Sequence, residues 1–592
     1  MAEQLFFSRD SKLYIEFDST LWEIPVLDGF SFSQSTNQSE ITLSEMQGAD
    51  GLSRRGNRVF TDSLAPAEFS FSTYARPYSS GSEMGGVEEV LWAVMAGADK
   101  YVDASAGGGL KTTNTADANP DAFTMSAAET GKSRTNGVYS INDNTGCTGT
   151  ALVGSAPAGQ GKAFEIEVTV TGGNITKVQV ISGGNGFAAS QTIIIPGASI
   201  GGGNSDDFTL TIKSGTDGIT TVGASFYRNS QQDPNSPFGP AVIEPAAAKS
   251  VINFGQSNRS TLGECNIFFI METSTTIPLI YKLENAAINE ASIDFEVDGI
   301  ATINWSGFAK NVADMTSSAD GAAANRKAYV INLSSPSDID ARIDAARALA
   351  NEFGATGNRA ADPGIGSLIF NRGNNNEVLL VTGTGNTGND DAVLAIDTGV
   401  ASTTTFIRNR LTQLLVGTTE TTIFPSGSDG TNSAGTATKN FSLTLTGGNI
   451  TISNNISYLV PEELGAVNVP IEHVKGGRVV TGNFTCYLTF DDTNAGSSVD
   501  LFNDMVGTGL NRVVNNFEVT FQIGGSTGTP RLNVIMPKVH INVPSHSIED
   551  VISVETNFAS YTDEFNVANE VQLEYIGPAA VSYTHLTLPT KA

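Results

Sequence analysis

The feature that most constrains the fold of this chain is an internal duplication. The segment RVFTDSLAPAEFSFSTYARPYSSGSEMGGVEEVLWAVMAG, residues 58–97, has a shorter counterpart in RVVTGNFTCYLTFDDTNAGSSVDLFNDMVG, residues 478–507. Both segments are typical of a strand, a turn, a second strand, a polar loop and a short helix. A repeated unit of this size predicts two similar domains.

The segments around this unit are also repeated. A strand pair precedes each copy, at residues 30–43 and 450–471, and another follows each helix, at residues 280–309 and 533–560. We therefore expect a mainly β chain with two tandem β-sandwich or barrel domains, each with a short packed helix.

The residue pattern inside the repeats predicts which faces are buried. Phe69, Phe71 and Thr73 alternate with polar residues, which indicates a strand with one buried face. Helical spacing predicts an apolar stripe in each copy, and the stripe residues are Val87, Val90, Leu91, Val94 and Met95 in the first helix and Val499, Phe502 and Val506 in the second.

The length of 592 residues suggests about four folding units. Two of these units are the repeated domains, and two insertions between the repeated segments account for the others. Residues 103–245 are rich in Gly, Ala, Thr and Asn, and AFEIEVTVTGGNITKVQVISGGNGF predicts two strands joined by a Gly-Gly-Asn turn. Residues 315–402 predict a small α/β module whose helix begins at Ser335 and Pro336 and ends at Gly354. The first β domain then comprises residues 1–102 and 246–314, and the second comprises residues 403–580.

The last twelve residues, VSYTHLTLPTKA at 581–592, are similar to the translation of a sequencing-library adapter. We expect this segment to be foreign to the fold and exclude it, with His585, from the search for functional residues.

The charge and the cysteines exclude several classes of protein. With 33 basic and 62 acidic residues the net charge is −29, which disfavours a conventional binder of free DNA. Cys147, Cys265 and Cys486 are too few and too scattered for a disulfide framework or a Cys-rich zinc site. No apolar signal core and no run of about 18 apolar residues is present, so we expect a soluble chain without a membrane span.

Three sets of residues resemble chemical motifs but fit a structural role better. Gly383, Gly385 and Gly388 form a GxGxxG without a following helix, which favours a glycine-rich hairpin loop over dinucleotide binding. Asp294, Glu296 and Asp298 have the spacing of an EF-hand start, but Trp305 stands where a glutamate ligand is needed.

The alternation in the same segment instead predicts that Ile293, Phe295 and Val297 face the core and that Asp298-Gly299 is a hairpin turn. His473, His540 and His546 have no partner ligands at a suitable spacing. We therefore predict no enzyme activity, no metal and no cofactor.

Four segments resemble, in the same order, one known family. They are FSFSQSTNQSEITLSE, RRGNRVFTDSLAPAEFSFSTYARPY, GGNITISNNISYLVPEELGAVNVPI and PKVHINVPSHSIEDV. They are similar to segments of the two-domain major tail tube protein of long-tailed phages of the coliphage T-five type. The resemblance covers the two repeated domains, about half of the chain, and neither insertion.

The resemblance implies a structural protein of the virion tail that is assembled in the host cytoplasm. Proteins of this family build stacked rings whose inner sheets form one β-barrel around a channel, so a chain with two tube domains would form a pseudo-hexameric ring from three copies. The implied partners are further copies of the chain, the tape measure protein, the tail terminator and distal tail proteins, with DNA only as passing cargo.

Two sets of residues are candidates for roles in such a tube. Arg54, Arg55 and Arg58 lie in a polar loop of an otherwise acidic chain, and we hypothesise that this loop docks on an acidic rim of the adjacent ring. Asp294 and Glu296, with Glu549 and Asp550 in the second repeat, are candidates for an acidic channel wall that keeps DNA off the surface. The alternatives are a mobile loop and an acidic outer wall.

Two other functions remain open. A tail fibre or adhesin would share the acidic, β-rich and Gly/Thr/Asn-rich composition, although it would not need two similar sheets. A carbohydrate-active enzyme would need two converging carboxylates, which the sequence does not indicate.

Overall fold

The computed structural model describes most of the repeated parts and much of both insertions. The described residues are 6–27, 29–41, 58–80, 83–102, 109–110, 122–125, 132–142, 145–151, 164–183, 187–203, 205–213, 219–220, 225–227, 242–245, 249–254, 262–272, 278–315, 327–334, 339–352, 365–374, 376–383, 391–397, 406–418, 439–461, 469–490, 497–507, 517–525, 529–543, 545–547, 551–562 and 570–577. The terminal segment 581–592 lies outside them.

The protein is mainly β, as predicted. The elements described in the amino-terminal part are β1 (Ser11–Phe17), β2 (Thr20–Ile24), β3 (Ser31–Ile41), β4 (Arg58–Tyr74), β5 (Pro77–Ser80), β6 (Glu83–Gly86), α1 (Glu89–Ala96) and β7 (Lys100–Val102). Short 3-10 helices lie at Ser8–Asp10, Gly197–Ile200 and Asn409–Leu411.

The described residues of the first insertion form ten strands. They are β8 (Gly109–Leu110), β9 (Phe123–Met125), β10 (Gly137–Asn142), β11 (Phe164–Thr171), β12 (Asn174–Gly183), β13 (Thr192–Ile195), β14 (Phe208–Ile212), β15 (Ile219–Thr220), β16 (Ser225–Tyr227) and β17 (Ile243–Pro245). The predicted Gly-Gly turn between β11 and β12 is confirmed, since Gly172 and Gly173 have φ values of 63° and 81°, which favour glycine.

The next part of the chain returns to the main body and then enters the second insertion. Its elements are β18 (Ser250–Asn253), β19 (Cys265–Met271), β20 (Leu279–Glu296), β21 (Thr302–Ala309), β22 (Asn311–Asp314), β23 (Ala328–Ile331), α2 (Ile339–Glu352), β24 (Leu368–Asn371), β25 (Glu377–Gly383), β26 (Asp391–Leu394) and β27 (Ile396–Asp397). The predicted helix is therefore present, while its expected first residues and Gly354 lie outside the described ranges.

The carboxy-terminal part contains the remaining elements. They are β28 (Gln413–Thr418), β29 (Lys439–Leu443), β30 (Leu445–Ser453), β31 (Ser457–Leu459), β32 (Glu472–Val474), β33 (Val479–Tyr487), α3 (Ser498–Gly507), β34 (Phe517–Ile523), β35 (Arg531–Ile541), β36 (Ser545–Ser547), β37 (Ser553–Ser560) and β38 (Gln572–Ile576).

One antiparallel sheet runs through both repeated parts of the chain. Its strands pair in the order β3, β4, β21, β20, β30, β33, β37 and β36. The junction is the pairing of β20 with β30, in which Glu290 lies opposite Ser453 and Glu296 opposite Gly447. We call this the continuous sheet.

Two further runs of strands cover the buried side of the continuous sheet. In the first, β2, β1, β19, the first half of β20 and β22 are neighbours. In the second, the order is β29, β28, β34, the first half of β35, β38, β18 and β17. A single hydrophobic core, from Leu13 to Tyr575, fills the space between these strands and the continuous sheet.

The first insertion has its own core. Phe123, Ile166, Phe208 and their neighbours form a cluster drawn only from residues 110–212. Two short strand pairs, β7 with β16 and β8 with β15, connect it to the body. However, Phe226 and Ile243, which lie near the end of this insertion, pack in the main core.

The second insertion is packed on the body. Its strands β23, β24, β25 and β26 are neighbours, and α2 covers one face of them through Ile343 and Ala346. The other face contributes Leu368 and Leu380 to a cluster with Phe268 of β19. The module therefore forms a third layer over the outer face of the β1 and β19 strands.

Most of the predicted burial is confirmed, with three exceptions. Phe69, Phe71 and Thr73 are buried, as are the five residues predicted for the stripe of the first helix. However, Val87 precedes α1, and residues 90–96 are all buried, so α1 is enclosed on every side and not along one stripe. Val297 was expected in the core but is 37% exposed, because the turn after β20 has already begun there. In α3 Phe502 is buried as predicted, but Leu501 and Met505 rather than Val499 complete the buried stripe, and the Val506 side chain lies outside the described set.

Candidate functional site

The outward face of the continuous sheet carries rows of polar side chains across both halves. The central row, read by strand pairing, is Tyr74, Thr302, Asp294, Asn449, Asn483 and Asn557. The next row is Ser72, Asn304, Ser292, Thr451 and Thr481. Strand alternation produces this face because the intervening residues, such as Ile293 and Phe295, are buried.

Asp294 is the centre of a hydrogen-bond network on this face. Its carboxylate accepts hydrogen bonds from the Nδ2 groups of Asn304 and of Asn449, the latter at 3.2 Å, and from the Ser292 hydroxyl at 3.3 Å. Asn304 in turn accepts a 2.6 Å hydrogen bond from Ser72. The network connects β4, β21, β20 and β30, so Asp294 stabilises the junction between the two halves.

Of the other residues proposed for the channel wall, the structure describes Glu296 but not Glu549 or Asp550. Glu296 lies at the end of β20 on the same face as Asp294 and is exposed. Glu290 and Glu555 add carboxylates to neighbouring rows, and the rows through residues 290, 292, 294 and 296 contain no lysine or arginine on the described strands. Glu549 and Asp550 lie outside the described residues.

Most of the predicted arginine loop lies outside the described residues. Arg54 and Arg55 fall in the undescribed segment between β3 and β4, and Arg58 is described only as the first backbone position of β4. The docking role of these three residues therefore stays a prediction.

Among the described strands, both edges of the continuous sheet are open. In the described part of the chain β3 pairs only with β4, and β36 pairs only with β37. An open strand edge presents backbone N–H and C=O groups to any strand that approaches it. The sheet can therefore be extended at either edge by another chain.

A buried polar network connects α1 to the last strand. The Trp92 indole N–H donates a 2.8 Å hydrogen bond to the Tyr575 hydroxyl, which donates to the Glu88 carboxyl group. Burial raises the pKa of Glu88 to about 7, although the hydrogen bond from Tyr575 opposes the shift. Sequence reasoning missed this network because its members are separated by more than 480 residues.

His473 connects β32 to the segment before β19. Its Nε2 accepts the Leu262 N–H at 3.1 Å, so the hydrogen lies on Nδ1, which faces Glu264 at 3.0 Å. This hydrogen bond lowers the pKa of Glu264. His473 is fully buried and both ring nitrogens are occupied, which is a structural role.

The remaining candidates for chemistry do not come together. No group of three His, Cys, Asp or Glu side chains suited to a metal occurs among the described residues. Trp305 is buried and donates to Thr73 at 2.9 Å, and β25 and β26 form the hairpin that was predicted around the glycine motif. Burial raises the pKa of both the Cys265 thiol and the Cys486 thiol, the latter to about 12, as expected for core cysteines.

Comparison with known proteins adds one line of evidence. The chain is 32% identical over 152 residues to the tail tube protein pb6 of Escherichia phage T5. Over these residues the chain is similar to a T5-type phage tail tube protein. The match covers 25% of this chain and 31% of that relative, so the relationship is established over less than a third of either protein. No protein-family model matches the chain, and none of the described helices is long and apolar enough to cross a membrane.

Proposed function

We propose that this chain is a structural subunit of a phage tail tube, located in the virion tail and without enzymatic activity. The observation that carries the proposal is the continuous sheet, which crosses both halves of the chain and ends in two open edges. The relationship to the T5 tail tube protein supports it independently.

The order of strand pairing supports two tandem tube domains. Each half starts with a hairpin, β1–β2 or β28–β29, and continues with two strands of the continuous sheet, β3 and β4 or β30 and β33. The helix α1 or α3 comes next, followed by β19 and β20 or by β34 and β35. The last strands are β21 and β22 or β37 and β38, which pair with equivalent neighbours in both halves.

The junction inside the chain suggests how copies join. The first edge strand of the second half, β30, pairs with β20 of the first half. The equivalent strands at the ends of the chain are β3 and the β35–β36 segment. Among the described strands β3 pairs only with β4, and β36 pairs only with β37. Pairing β36 of one copy with β3 of the next repeats the internal junction, and three copies close a ring of six similar units.

In such a ring the outward polar face of the continuous sheet lines the channel. Asp294 and Glu296 then contribute negative charge to the wall, together with Glu290 and Glu555. Like charge keeps a DNA backbone hydrated and away from the wall, which favours sliding over binding. Other copies of the chain, the tape measure protein and the terminal tail proteins are the proposed partners, with DNA as cargo.

Electron microscopy of the purified protein tests this proposal. Hollow tubes are expected by negative staining, and the rings released from them are expected to contain three chains by native mass spectrometry. Solid fibres, or rings that do not contain three chains, would contradict it.

Proline at the open edges tests the mode of ring closure. Gln34→Pro on β3 and His546→Pro on β36 each remove one N–H that points to the open edge, since the partner residues Ala67 and Val554 face the strands on their other sides. Gln34→Ala and His546→Ala keep that N–H. We expect tubes from the alanine variants and none from folded proline variants, with folding checked by the melting temperature. Normal tubes from both proline variants would exclude edge pairing.

A further inference from the structure

One end of the continuous sheet carries an open cleft of about 610 Å³. Its lining includes Tyr74, Ile300, Arg408 and Arg410. The segment before β28 is held against the turn after β20, because Ala301 N–H donates to Ile407 O and Asn409 N–H donates to Gly299 O, each at 3.1 Å. The cleft is therefore built from the first half and the connection between the halves.

The cleft and the residues beside it combine aromatic and cationic groups with one carboxylate, Asp298. Phe406 is 48% exposed, meets the Tyr74 ring edge to face at 5.4 Å, and lies under the Arg76 guanidinium at 4.8 Å. Arg410 is 3.3 Å from Asp298, and both side chains are largely exposed. A cationic, partly apolar patch is unusual on a chain with a net charge of −29 and suits an acidic partner with apolar side chains.

The opposite end of the same sheet carries a hairpin that is acidic and has exposed apolar side chains. β30 runs from Gly447, opposite Glu296 near the cleft, to Ser453, opposite Glu290, and the hairpin β31–β32 follows it. One face of the hairpin is anchored, since the Tyr458 hydroxyl donates a 2.6 Å hydrogen bond to Asn285 O.

The other face of the hairpin is exposed. Leu459 and Val474 are 56% and 51% exposed, and Glu472 lies beside Leu459 in the strand pair. In the described residues of the hairpin, 457–461 and 469–474, Glu472 is an exposed carboxylate and no lysine or arginine is present. The two ends of the sheet are thus complementary in charge and both present apolar side chains.

We propose that the β31–β32 hairpin of one copy docks in the Tyr74–Arg408–Arg410 cleft of a copy in the next ring. This inference rests on the proposed tube. It adds the rotational register between neighbouring rings, because the hairpin belongs to the second half of the chain and the cleft to the first half. Each second half therefore lies over a first half of the neighbouring ring. Complementary surfaces at opposite ends of one molecule form a head-to-tail contact that continues as a filament.

Disulfide trapping tests the register. In a Cys147→Ser background, Leu459→Cys is combined with Ile300→Cys at the cleft, or with Tyr487→Cys as the matched control. Tyr487 is 42% exposed at the corresponding end of the second half. After mild oxidation of tubes, we expect a ladder of linked chains on a non-reducing gel for the first pair only.

Charge reversal provides a second test. Arg408→Glu is expected to raise the concentration needed for polymerisation by about tenfold, because several copies of the contact act together in each ring. Adding Glu472→Arg is expected to restore polymerisation, whereas adding Glu167→Arg, on β11 of the first insertion, is not.

The outcomes separate this inference from the proposed function. A ladder only with Tyr487→Cys, a ladder with neither pair in intact tubes, or no specific rescue by Glu472→Arg would overturn the docking and leave the tube proposal standing. A wild-type protein that forms no tubes would overturn both.

Discussion

At the residue scale, the buried carboxyl group of Glu88 is the most unusual feature of the core. It lies between α1 and β38, so its protonation affects the contact between the first and last parts of the chain. A buried carboxyl group with a raised pKa is more stable in its neutral form. The pKa of about 7 therefore makes this contact sensitive to pH near neutrality.

The variant Glu88→Gln tests this sensitivity. The folded-state pKa of about 7 lies above the ordinary 4.5, so the stabilisation by Glu88 is complete below pH 4.5 and is lost as the pH rises through 7. Between low and high pH, the resulting change in the free energy of unfolding is roughly 3 kcal/mol. We expect Glu88→Gln to melt at a higher temperature than wild type at pH 8 and to differ little from it at pH 4.5.

A matched control is Glu68→Gln, which changes an exposed carboxyl group of β4. Its melting curve should keep the pH dependence of the wild-type protein. An unchanged pH dependence in Glu88→Gln would show that the Glu88 carboxyl group does not titrate in this range.

Glu296 offers a test of the channel wall at the same scale. Glu296→Lys adds a positive charge at an exposed position and leaves the Asp294 hydrogen bonds in place. We expect normal tubes and slower genome ejection in phage that carry this variant, because a cationic wall attracts phosphates.

Glu296→Gln is the control for loss of charge alone and should eject at nearly the wild-type rate. Asp294→Lys is a weaker test, because it also removes the acceptor of Asn304 and Asn449. Unchanged ejection by Glu296→Lys, with the lysine shown to face the channel, would contradict an electrostatic role for this residue.

At the element scale, the first insertion and its connection to the body have different roles. The core of the insertion is confined to residues 110–212, whereas Phe226, Val242 and Ile243 belong to the main core. β17 also pairs with β18, which itself pairs with β38. The independently packed part is therefore shorter than the predicted insertion of residues 103–245.

Two deletions distinguish these parts. Replacing residues 109–220 by a short Gly/Ser linker should preserve folding and tubes, because the strand pair β7–β16 still closes the loop. Replacing residues 103–245 should lower the melting temperature strongly, since loss of Phe226 alone costs about 3 to 5 kcal/mol. Equal melting temperatures for the two deletions would show that β16 and β17 contribute little.

The second insertion is expected to behave differently from the first. Its removal would expose the outer apolar face of the first half, where Tyr14, Phe268 and Ile270 are now covered by the module. We expect a chain in which a Gly/Ser linker replaces residues 316–395 to aggregate and to bind a hydrophobic dye, while the 109–220 deletion stays soluble. A soluble product with the wild-type melting temperature would contradict the integral role of this layer.

At the scale of the whole molecule, net charge opposes assembly. Each chain carries −29, and stacked rings bring three such chains against three more. Surface ion pairs such as those proposed at the cleft contribute only about 0 to 1 kcal/mol each, so they select the register rather than overcome this repulsion. Apolar contact at the ends must supply most of the binding energy.

Polymerisation should therefore increase with salt. Raising NaCl from about 0.01 M to 0.15 M shortens the screening length from about 30 Å to 8 Å and weakens the repulsion between rings. We expect light scattering to show a lower concentration for tube formation at the higher salt. A steep rise of that concentration with salt would show that ion pairs provide most of the affinity.

The sequence by itself determined the features that depend on local patterns. Alternation at Phe69, Phe71 and Thr73 predicted the buried face of β4, because a side chain's direction follows the backbone period. Helical spacing predicted the position of α1, although the tertiary structure buries this helix on every side. The Gly-Gly turn located the hairpin of β11 and β12. These signals lie within a few residues of one another.

Only the tertiary structure decided which distant residues meet. The Glu88–Tyr575 contact, the junction of β20 with β30, and the cleft around Phe406 each join segments that are about 150 to 490 residues apart in the chain. No local period records such contacts, since they depend on how whole strands pair and how sheets pack. For the same reason the sequence located Asp294 on a polar face, but only the fold placed it at the centre of the junction between the two halves.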